Sequence, residues 1–142
     1  MPNEDDLAMS FSPVPPDLAV TLCIVEDHDE LRAQLGQFLE RSGHLVVASV
    51  GTMRSGYRAI LDHRPEVAII EHNLPDGTGI DLCRTISPQV PDVALLLHTA
   101  AVEHGLEDRA LEAGARALVP KSMRGLTLLE AIAQHARPFG HR

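Results

Sequence analysis

Apolar and polar positions along the chain form two kinds of block that alternate. Short apolar runs rich in β-branched residues, such as AVTLCIV at 19–25, are typical of strands buried on both faces of a sheet. The longer segments between them carry apolar residues three and four positions apart and end at glycine or proline, which predicts helices. The predicted strands are 19–25, 44–50, 66–71, 92–99 and 115–120, and the predicted helices are 29–43, 53–64, 79–86, 101–113 and 123–136.

The alternation of five strands with five helices predicts repeated βαβ units and a parallel sheet covered on both faces. We expect one α/β domain at 19–137, preceded by a flexible, proline-containing leader at 1–18 and followed by a short tail at 138–142. The first and last helices are expected to turn apolar stripes toward the core, namely Leu31, Leu35, Phe38 and Leu39 in the first, and Leu126, Leu129, Ile132 and Ala133 in the last.

Charge and cysteine content argue against several classes of function. The formal charge of −8 is unsuited to a nucleic-acid surface, because phosphate backbones are bound by clustered lysine and arginine. Cys23 and Cys83 match no metal-binding spacing and are expected to be buried thiols. No apolar run is long enough to span a membrane, and the acidic, proline-rich start is unlike a secretory signal. These features favour a cytoplasmic protein without direct nucleic-acid or membrane contacts.

Polar residues mark the ends of four predicted strands. Glu26 and Asp27 follow the first strand, Glu71 ends the third, Thr99 ends the fourth, and Lys121 follows the fifth. Each residue alone is better explained as a helix cap or a solvated charge, but the carboxyl ends of parallel strands share one edge, where α/β sheets bind ligands. Clustered carboxylates repel each other and favour a bound cation such as Mg²⁺. A neighbouring hydroxyl and ammonium suit a phosphoryl group, whose transfer depends on positioning and charge stabilisation.

Four motifs together resemble the receiver domains of two-component response regulators. They are the acidic pair at 26–27 followed by HDELR, EHNLPDGTG at 71–79, LLLHTA at 95–100, and ALEAGARALVPKS at 110–122. The spacings from Glu71 to Gly79 and from Thr99 to Lys121 also follow the family pattern. The resemblance covers residues 19–137 and implies a flavodoxin-like (βα)5 fold with a five-stranded parallel sheet of order 2-1-3-4-5.

The resemblance also implies a role for each strand-end residue. Glu71 stands at the phosphoacceptor position, Thr99 at the position of the switch hydroxyl, and Lys121 at the position of the lysine that pairs with the phosphoryl group. A weak magnesium site is implied at Glu26, Asp27, Glu71 and the backbone carbonyl of Asn73. The cofactor expected by resemblance is therefore Mg²⁺.

Three positions depart from the family pattern. Glu71 replaces an aspartate and is one methylene longer, which pushes its carboxylate into the space that a phosphoryl group needs. Because a misplacement of about 1 Å costs roughly 100-fold in rate, we predict that Glu71 is not phosphorylated at a useful rate. Leu118 stands where a Tyr or Phe switch residue is usual, and Ser122 stands where a proline often follows the lysine. Glu71 either imitates the phosphorylated state in part or only inactivates a docking scaffold, and the sequence leaves both open.

The predicted function is signal transduction by an atypical receiver that binds partners and is not an enzyme. The implied partners are a histidine kinase or phosphotransfer protein, a downstream output protein, or a second copy bound through the fourth helix, fifth strand and fifth helix. Two alternatives stay open. One is a working phosphoacceptor in which Glu71 or Asp27 takes the phosphoryl group, and the other is a Mg²⁺-dependent phosphohydrolase on a related α/β scaffold.

Overall fold

Five strands and five α-helices alternate along residues 13–100, 102–122 and 125–136, which are the part of the chain that the computed structural model describes. The strands are β1 (Thr21–Val25), β2 (Leu45–Val50), β3 (Val67–Ile70), β4 (Ala94–Thr99) and β5 (Ala117–Pro120). The helices are α1 (Asp29–Arg41), α2 (Met53–His63), α3 (Gly79–Ile86), α4 (Leu106–Glu112) and α5 (Leu126–His135). A 3₁₀ turn at Pro16–Leu18 precedes β1, and a short antiparallel ladder of Asn73–Leu74 with Gly77–Thr78 lies between β3 and α3.

The five strands form one parallel sheet in the order β2-β1-β3-β4-β5. Register pairs such as Cys23 with Ala68 and Ile69 with Leu96 place the central strands side by side. β3 and β4 are buried along their whole length, as expected of strands covered by helices on both faces. The predicted flavodoxin-like fold and its strand order 2-1-3-4-5 are confirmed.

Alternate residues of β1 face two hydrophobic clusters, one on each face of the sheet. Leu22 and Ile24 belong to the cluster beneath α1 and α5, whereas Cys23 and Val25 belong to the cluster beneath α2, α3 and α4. Cys83 lies in the second cluster, and burial raises the pKa of both thiols to about 12. The prediction of buried thiols is confirmed, and both side chains act as protonated packing groups at neutral pH.

Three side chains that apolar spacing assigned to the core lie at the surface. Leu31 in the first turn of α1 is 43% exposed, Leu126 in α5 is 45% exposed, and Ala133 is also exposed. Ile132 is buried as predicted, and Leu129 is partly buried against the same cluster. Leu128 and Ala136 are also buried, and with Ile132 they form one row of positions four residues apart. The α5 prediction was wrong for Leu126 and Ala133, because two apolar rows run along the helix and spacing alone does not select the buried one.

Helix ends follow the local sequence signals closely, with one clear difference. The Thr52 hydroxyl accepts the N–H of Ser55 at 2.9 Å and caps α2 as predicted. Gly43, with φ of 100°, follows α1 as the expected stop. α4 begins at Leu106 instead of 101, because Gly105 has a left-handed φ of 80° that a continuous helix excludes.

The ends of the domain are only partly covered by the described residues. Within the predicted leader, the N–H of Val14 donates to the carbonyl of Ser42 at 2.8 Å, next to the 3₁₀ turn. Residues 1–12 and the predicted tail 138–142 lie outside the described residues, so the domain boundaries stay a prediction. In the described ranges, no helix has the length and hydropathy that a membrane span requires.

Candidate functional site

Four of the predicted site residues meet at the carboxyl ends of β1, β3, β4 and β5. Glu26, Glu71 and Thr99 are buried there, with 4%, 8% and 1% of their surface exposed. Lys121 follows β5, and its Nζ lies 2.6 Å from Glu26 Oε1 and 2.7 Å from Glu71 Oε1. One ammonium group therefore bridges two buried carboxylates that would otherwise repel each other.

Backbone N–H groups hold the second oxygen of each carboxylate. Glu26 Oε2 accepts the N–H of His28 at 3.2 Å. Glu71 Oε2 accepts the N–H of Asn73 at 3.1 Å and also that of His72. In both places the chain turns directly after a strand and points its N–H groups back at the acid that ends the strand. All four oxygens of the buried pair consequently have a hydrogen-bond donor.

Hydrogen bonds and charge keep the bridge ionised. Burial raises the pKa of Glu71, but hydrogen bonds from Lys121 and from the N–H of Asn73 outweigh burial and hold that pKa below its ordinary value of 4.5. Burial lowers the pKa of Lys121, but hydrogen bonds to Glu26 and Glu71 outweigh burial and hold that pKa above its ordinary value of 10.5. Glu71 and Lys121 therefore carry opposite charges at neutral pH.

Two buried polar atoms near Glu71 have no hydrogen-bond partner within the described residues, namely Thr99 Oγ1 and His72 Nδ1. Burial raises the pKa of Glu71 most, and Lys121 and then the nearby Thr99 hydroxyl lower it. The hydroxyl is close to the carboxylate but does not reach hydrogen-bond geometry. A buried hydroxyl without a partner costs about 1–3 kcal/mol. The Thr99 hydroxyl is therefore a donor that lies near the Glu71 carboxylate without bonding to it.

The predicted magnesium ligands are only partly assembled. Asp27 is exposed, and Asn73 belongs to the short antiparallel ladder. Mg²⁺ takes near-octahedral oxygen ligands at about 2.0–2.1 Å, whereas the oxygens of Glu26 and Glu71 already bind Lys121 or backbone N–H groups. No group of three His, Cys, Asp or Glu suited to a metal ion occurs in the ranges described. In this arrangement the residues do not fit the ion, and the magnesium assignment stays a prediction.

Asp76 ties the loop after Glu71 to the start of α2. Its two carboxylate oxygens accept the N–H groups of Met53 at 2.7 Å and Arg54 at 3.0 Å. These hydrogen bonds lower the pKa of Asp76, with the Arg54 N–H contributing most. The partners are more than 20 residues away in sequence, so no short-range pattern could have assigned this role to Asp76.

Two glycines allow close approaches around the carboxylates. An added Cβ at Gly79 would lie 2.5 Å from the carbonyl oxygen of Glu71, which explains why the loop needs glycine there. An added Cβ at Gly51 would lie 2.9 Å from the guanidinium of Arg32. Arg32 donates to the carbonyl of Glu26 at 2.7 Å and pairs with Asp29 at 2.8 Å. Arg32 thus fixes the backbone at the end of β1 and leaves the Glu26 carboxylate to Lys121.

A cleft of about 330 Å³ opens beside Lys121, lined by residues of α1 that include Leu35 and Phe38. Burial lowers the pKa of His98, which lines the same cleft, to about 4, and the charge of Lys121 acts in the same direction. This imidazole is therefore neutral at neutral pH. Leu118, which the resemblance places at the position of a switch aromatic, lies in β5 and is buried in the cluster beneath α2, α3 and α4.

Comparison with known sequences agrees with this geometry. The profile of the family described as "Response regulator receiver domain" matches residues 22–134. The DNA-binding transcriptional activator DevR/DosR of Mycobacterium tuberculosis is 32% identical over 114 residues, which cover 80% of this chain and 52% of that protein. The chain thus spans about half the length of the curated relatives that it matches.

Solved structures have the same fold. A two-component response regulator of the LuxR family from Aurantimonas sp. SI85-9A1 superposes with a TM-score of 0.78 at 27% identity, covering 83% of this chain and 85% of that chain. The response regulator TrrA of Thermotoga maritima, in complex with Mg²⁺ and BeF, gives a TM-score of 0.71 at 20% identity, covering 80% of this chain and 96% of that chain. The TrrA likeness bears on the fold alone.

The parallel sheet, with acids, a hydroxyl and a lysine at its carboxyl edge, defines a domain of the two-component signalling class. The chain belongs to the response regulator receiver domain family. Receiver domains bind Mg²⁺ at their phosphorylation site, interact with histidine kinases and output domains, and are generally not enzymes.

Proposed function

We propose that this chain is an atypical receiver that is not phosphorylated on Glu71 and transmits its signal through protein contacts. The observation that carries the proposal is the bonding of the Glu71 carboxylate, with Oε1 2.7 Å from Lys121 and Oε2 3.1 Å from the N–H of Asn73. Both oxygens of the acceptor position are engaged, and the ammonium that would pair with a phosphoryl group is in direct contact with the carboxylate.

Phosphorylation of Glu71 would require these contacts to break. A phosphoryl group on Oε1 would have to lie between the carboxylate and Lys121, where the two groups now touch. The extra methylene of glutamate prevents the carboxylate from withdrawing while it keeps its N–H donors. A misplacement of about 1 Å costs roughly 100-fold in rate, because phosphoryl transfer depends mainly on positioning.

The contact with Lys121 supports partial imitation of the phosphorylated state. A carboxylate offers one charge and two oxygens, whereas a phosphoryl group offers up to two charges and three oxygens. The side-chain hydroxyl of Thr99 makes no hydrogen bond with the described residues, and Leu118 has no polar tip to move with a switch hydroxyl. The Lys121 contact favours a locked signalling role, and the unbonded Thr99 hydroxyl favours a docking scaffold.

The surface proposed for partner contact is the face formed by α4, β5 and α5. α4 and α5 both pack against β5, and α4 carries the exposed Leu111, which is 47% accessible. The proposed partners are a histidine kinase or phosphotransfer protein, an output protein, or a second copy of the chain. We also propose that the chain acts in the cytoplasm and has no enzyme activity. Direct nucleic-acid contact is not part of the proposal, because the charge of −8 disfavours binding to a phosphate backbone. The DNA binding named for DevR/DosR belongs to that longer protein.

The proposed function predicts that a phosphodonor leaves the backbone of the protein unchanged. Two-dimensional amide NMR spectra are recorded in Mg²⁺ before and after addition of acetyl phosphate. We expect the resonances of Thr99 and Lys121 to stay in place, because no phosphoryl group is added beside them. The Glu71→Asp variant is the matched control, and its resonances at the same positions are expected to move. Wild-type resonances that move as those of the variant do would contradict the proposal.

A further inference from the structure

The pocket formed by Glu26, Glu71 and Lys121 at the carboxyl ends of the strands contains its own positive charge, which compensates the two buried carboxylates. In the described ranges, Lys121 is the basic side chain in ion-pair contact with the carboxylates of Glu26 and Glu71. Lys121 is also the only lysine in the 142-residue chain, since every other member of the Lys and Arg set is an arginine. Arg32, which also lies at this edge, uses its guanidinium on the Glu26 carbonyl and on Asp29. Within the described residues, the charge of the two buried acids is therefore compensated by one ammonium group.

A divalent ion would compete with that ammonium for the same oxygens. Oε1 of Glu26 and Oε1 of Glu71 bind Lys121 at 2.6 and 2.7 Å. Their second oxygens accept backbone N–H groups. An ion that enters must displace a donor from at least one carboxylate, and it must do so against the repulsion of a positive charge a few ångströms away. Lys121 side-chain exposure is only 21%, which limits screening of this repulsion by water.

We propose that Lys121 is the resident cation of the pocket and takes the place of a divalent metal ion, so that the domain holds its partner-binding conformation without magnesium. This inference deepens the proposed function and rests on it, since a receiver that is not phosphorylated has no phosphoryl transfer for a metal to support. The two remaining predicted ligands, exposed Asp27 and the carbonyl of Asn73, then serve no ion in the resting protein.

The single lysine makes the test direct. Lysine labelled with an NMR-active isotope at Cε alone gives one side-chain carbon signal, that of Lys121, which is followed by NMR as Mg²⁺ is added to the wild-type protein. We expect the signal to stay in place, and we expect the midpoint of thermal unfolding to be the same in EDTA and in excess Mg²⁺. A lysine signal that shifts with saturation, or a midpoint that rises with Mg²⁺ as ligand binding requires, would overturn the proposal.

The Lys121→Met variant supplies the converse result. Without the ammonium, the facing carboxylates of Glu26 and Glu71 lack a cation, so Mg²⁺ is expected to bind with a Kd at least about tenfold lower than in wild type. Calorimetric titration with MgCl₂ and the unfolding midpoint report this gain. Lys121→Arg keeps a positive charge at the position and is expected to stay as unresponsive as wild type.

Each remaining outcome either supports or overturns the proposal. A folded Lys121→Met protein that gains no response to Mg²⁺ would overturn it, because the lysine would then not be what excludes the ion. If this variant unfolds in EDTA, recovery of its fold in Mg²⁺ supports the proposal, and failure to recover overturns it. Tight Mg²⁺ binding by wild type would overturn this inference but not the proposal that Glu71 is not phosphorylated, since the ion alone adds no phosphoryl group. The two proposals therefore fail separately.

Discussion

The Glu71→Asp variant is expected to accept one phosphoryl group from acetyl phosphate in Mg²⁺ at least about 100 times faster than the wild-type protein. Removal of one methylene draws the carboxylate back from Lys121, which now lies 2.7 Å away, and opens space for the phosphoryl group between them. Lys121 and the unbonded hydroxyl of Thr99 are already placed to receive its oxygens. The rate is taken from the time course of the intact protein mass. The mass distinguishes an added phosphoryl group from an added acetyl group, which acetyl phosphate can also transfer.

Glu71→Gln is the control for this prediction. It keeps the length of the wild-type side chain and has no carboxylate to form an acyl phosphate, so its labelling measures background reaction elsewhere on the chain. If Glu71→Asp is labelled no faster than Glu71→Gln, the pocket is defective beyond position 71, and the docking-scaffold role gains support over the locked signalling role.

The Lys121→Met variant is expected to lose about 3 kcal/mol in free energy of unfolding at neutral pH, because removal of one partner leaves buried charges uncompensated. The carboxylates concerned are well shielded, with side-chain exposures of 5% for Glu26 and 10% for Glu71. Partial exposure of the ammonium, at 21%, keeps the estimate at the low end of the range for buried pairs. Denaturant unfolding in EDTA measures the loss.

The pH dependence of this loss has a definite sign. The pKa of Glu71 is lowered on folding, so its contribution is present above 4.5 and is lost as the pH falls through its folded pKa. The pKa of Lys121 is raised, so its contribution is present below 10.5 and is lost as the pH rises through its folded pKa. The difference between wild type and variant should therefore be largest between these values and shrink in acid and in strong base.

Arg84→Met is the matched control for loss of a basic side chain. Arg84 pairs with Asp81 at 3.2 Å, and the two side chains are 61% and 57% exposed. An exposed pair of this kind contributes about 0–1 kcal/mol, so the control should remain close to wild type. A Lys121→Met protein as stable as the Arg84→Met protein would show that the bridge across the pocket contributes little to folding.

The alternation of apolar runs and amphipathic segments was sufficient to predict the parallel sheet and the meeting of the strand-end residues, because parallel strands bring their carboxyl ends to one edge. The strand order was predicted from the resemblance to receiver domains. What spacing could not predict depends on side chains that reach across the fold. The contact of Lys121 with Glu26 joins residues 95 positions apart, and the contact of Asp76 with Met53 joins residues 23 apart.

Local ambiguity accounts for the other differences. α5 carries two apolar rows, and only packing against the sheet selects the row that contains Leu128 and Ile132 over the one that contains Leu126. The delayed start of α4 depends on the left-handed conformation of Gly105, which glycine permits but does not require. In the same way, the sequence identifies the extra methylene of Glu71 but not the donors that its two oxygens find.

The most direct test of the central claim is the intact mass of the wild-type protein after incubation with acetyl phosphate and Mg²⁺, under conditions that label Glu71→Asp. We predict no species heavier by one phosphoryl group, because both oxygens of Glu71 are held by Lys121 and by backbone N–H groups. A phosphorylated species that forms at a rate like that of Glu71→Asp and is removed by hydroxylamine, as an acyl phosphate is, would contradict the claim and make Glu71 a working acceptor.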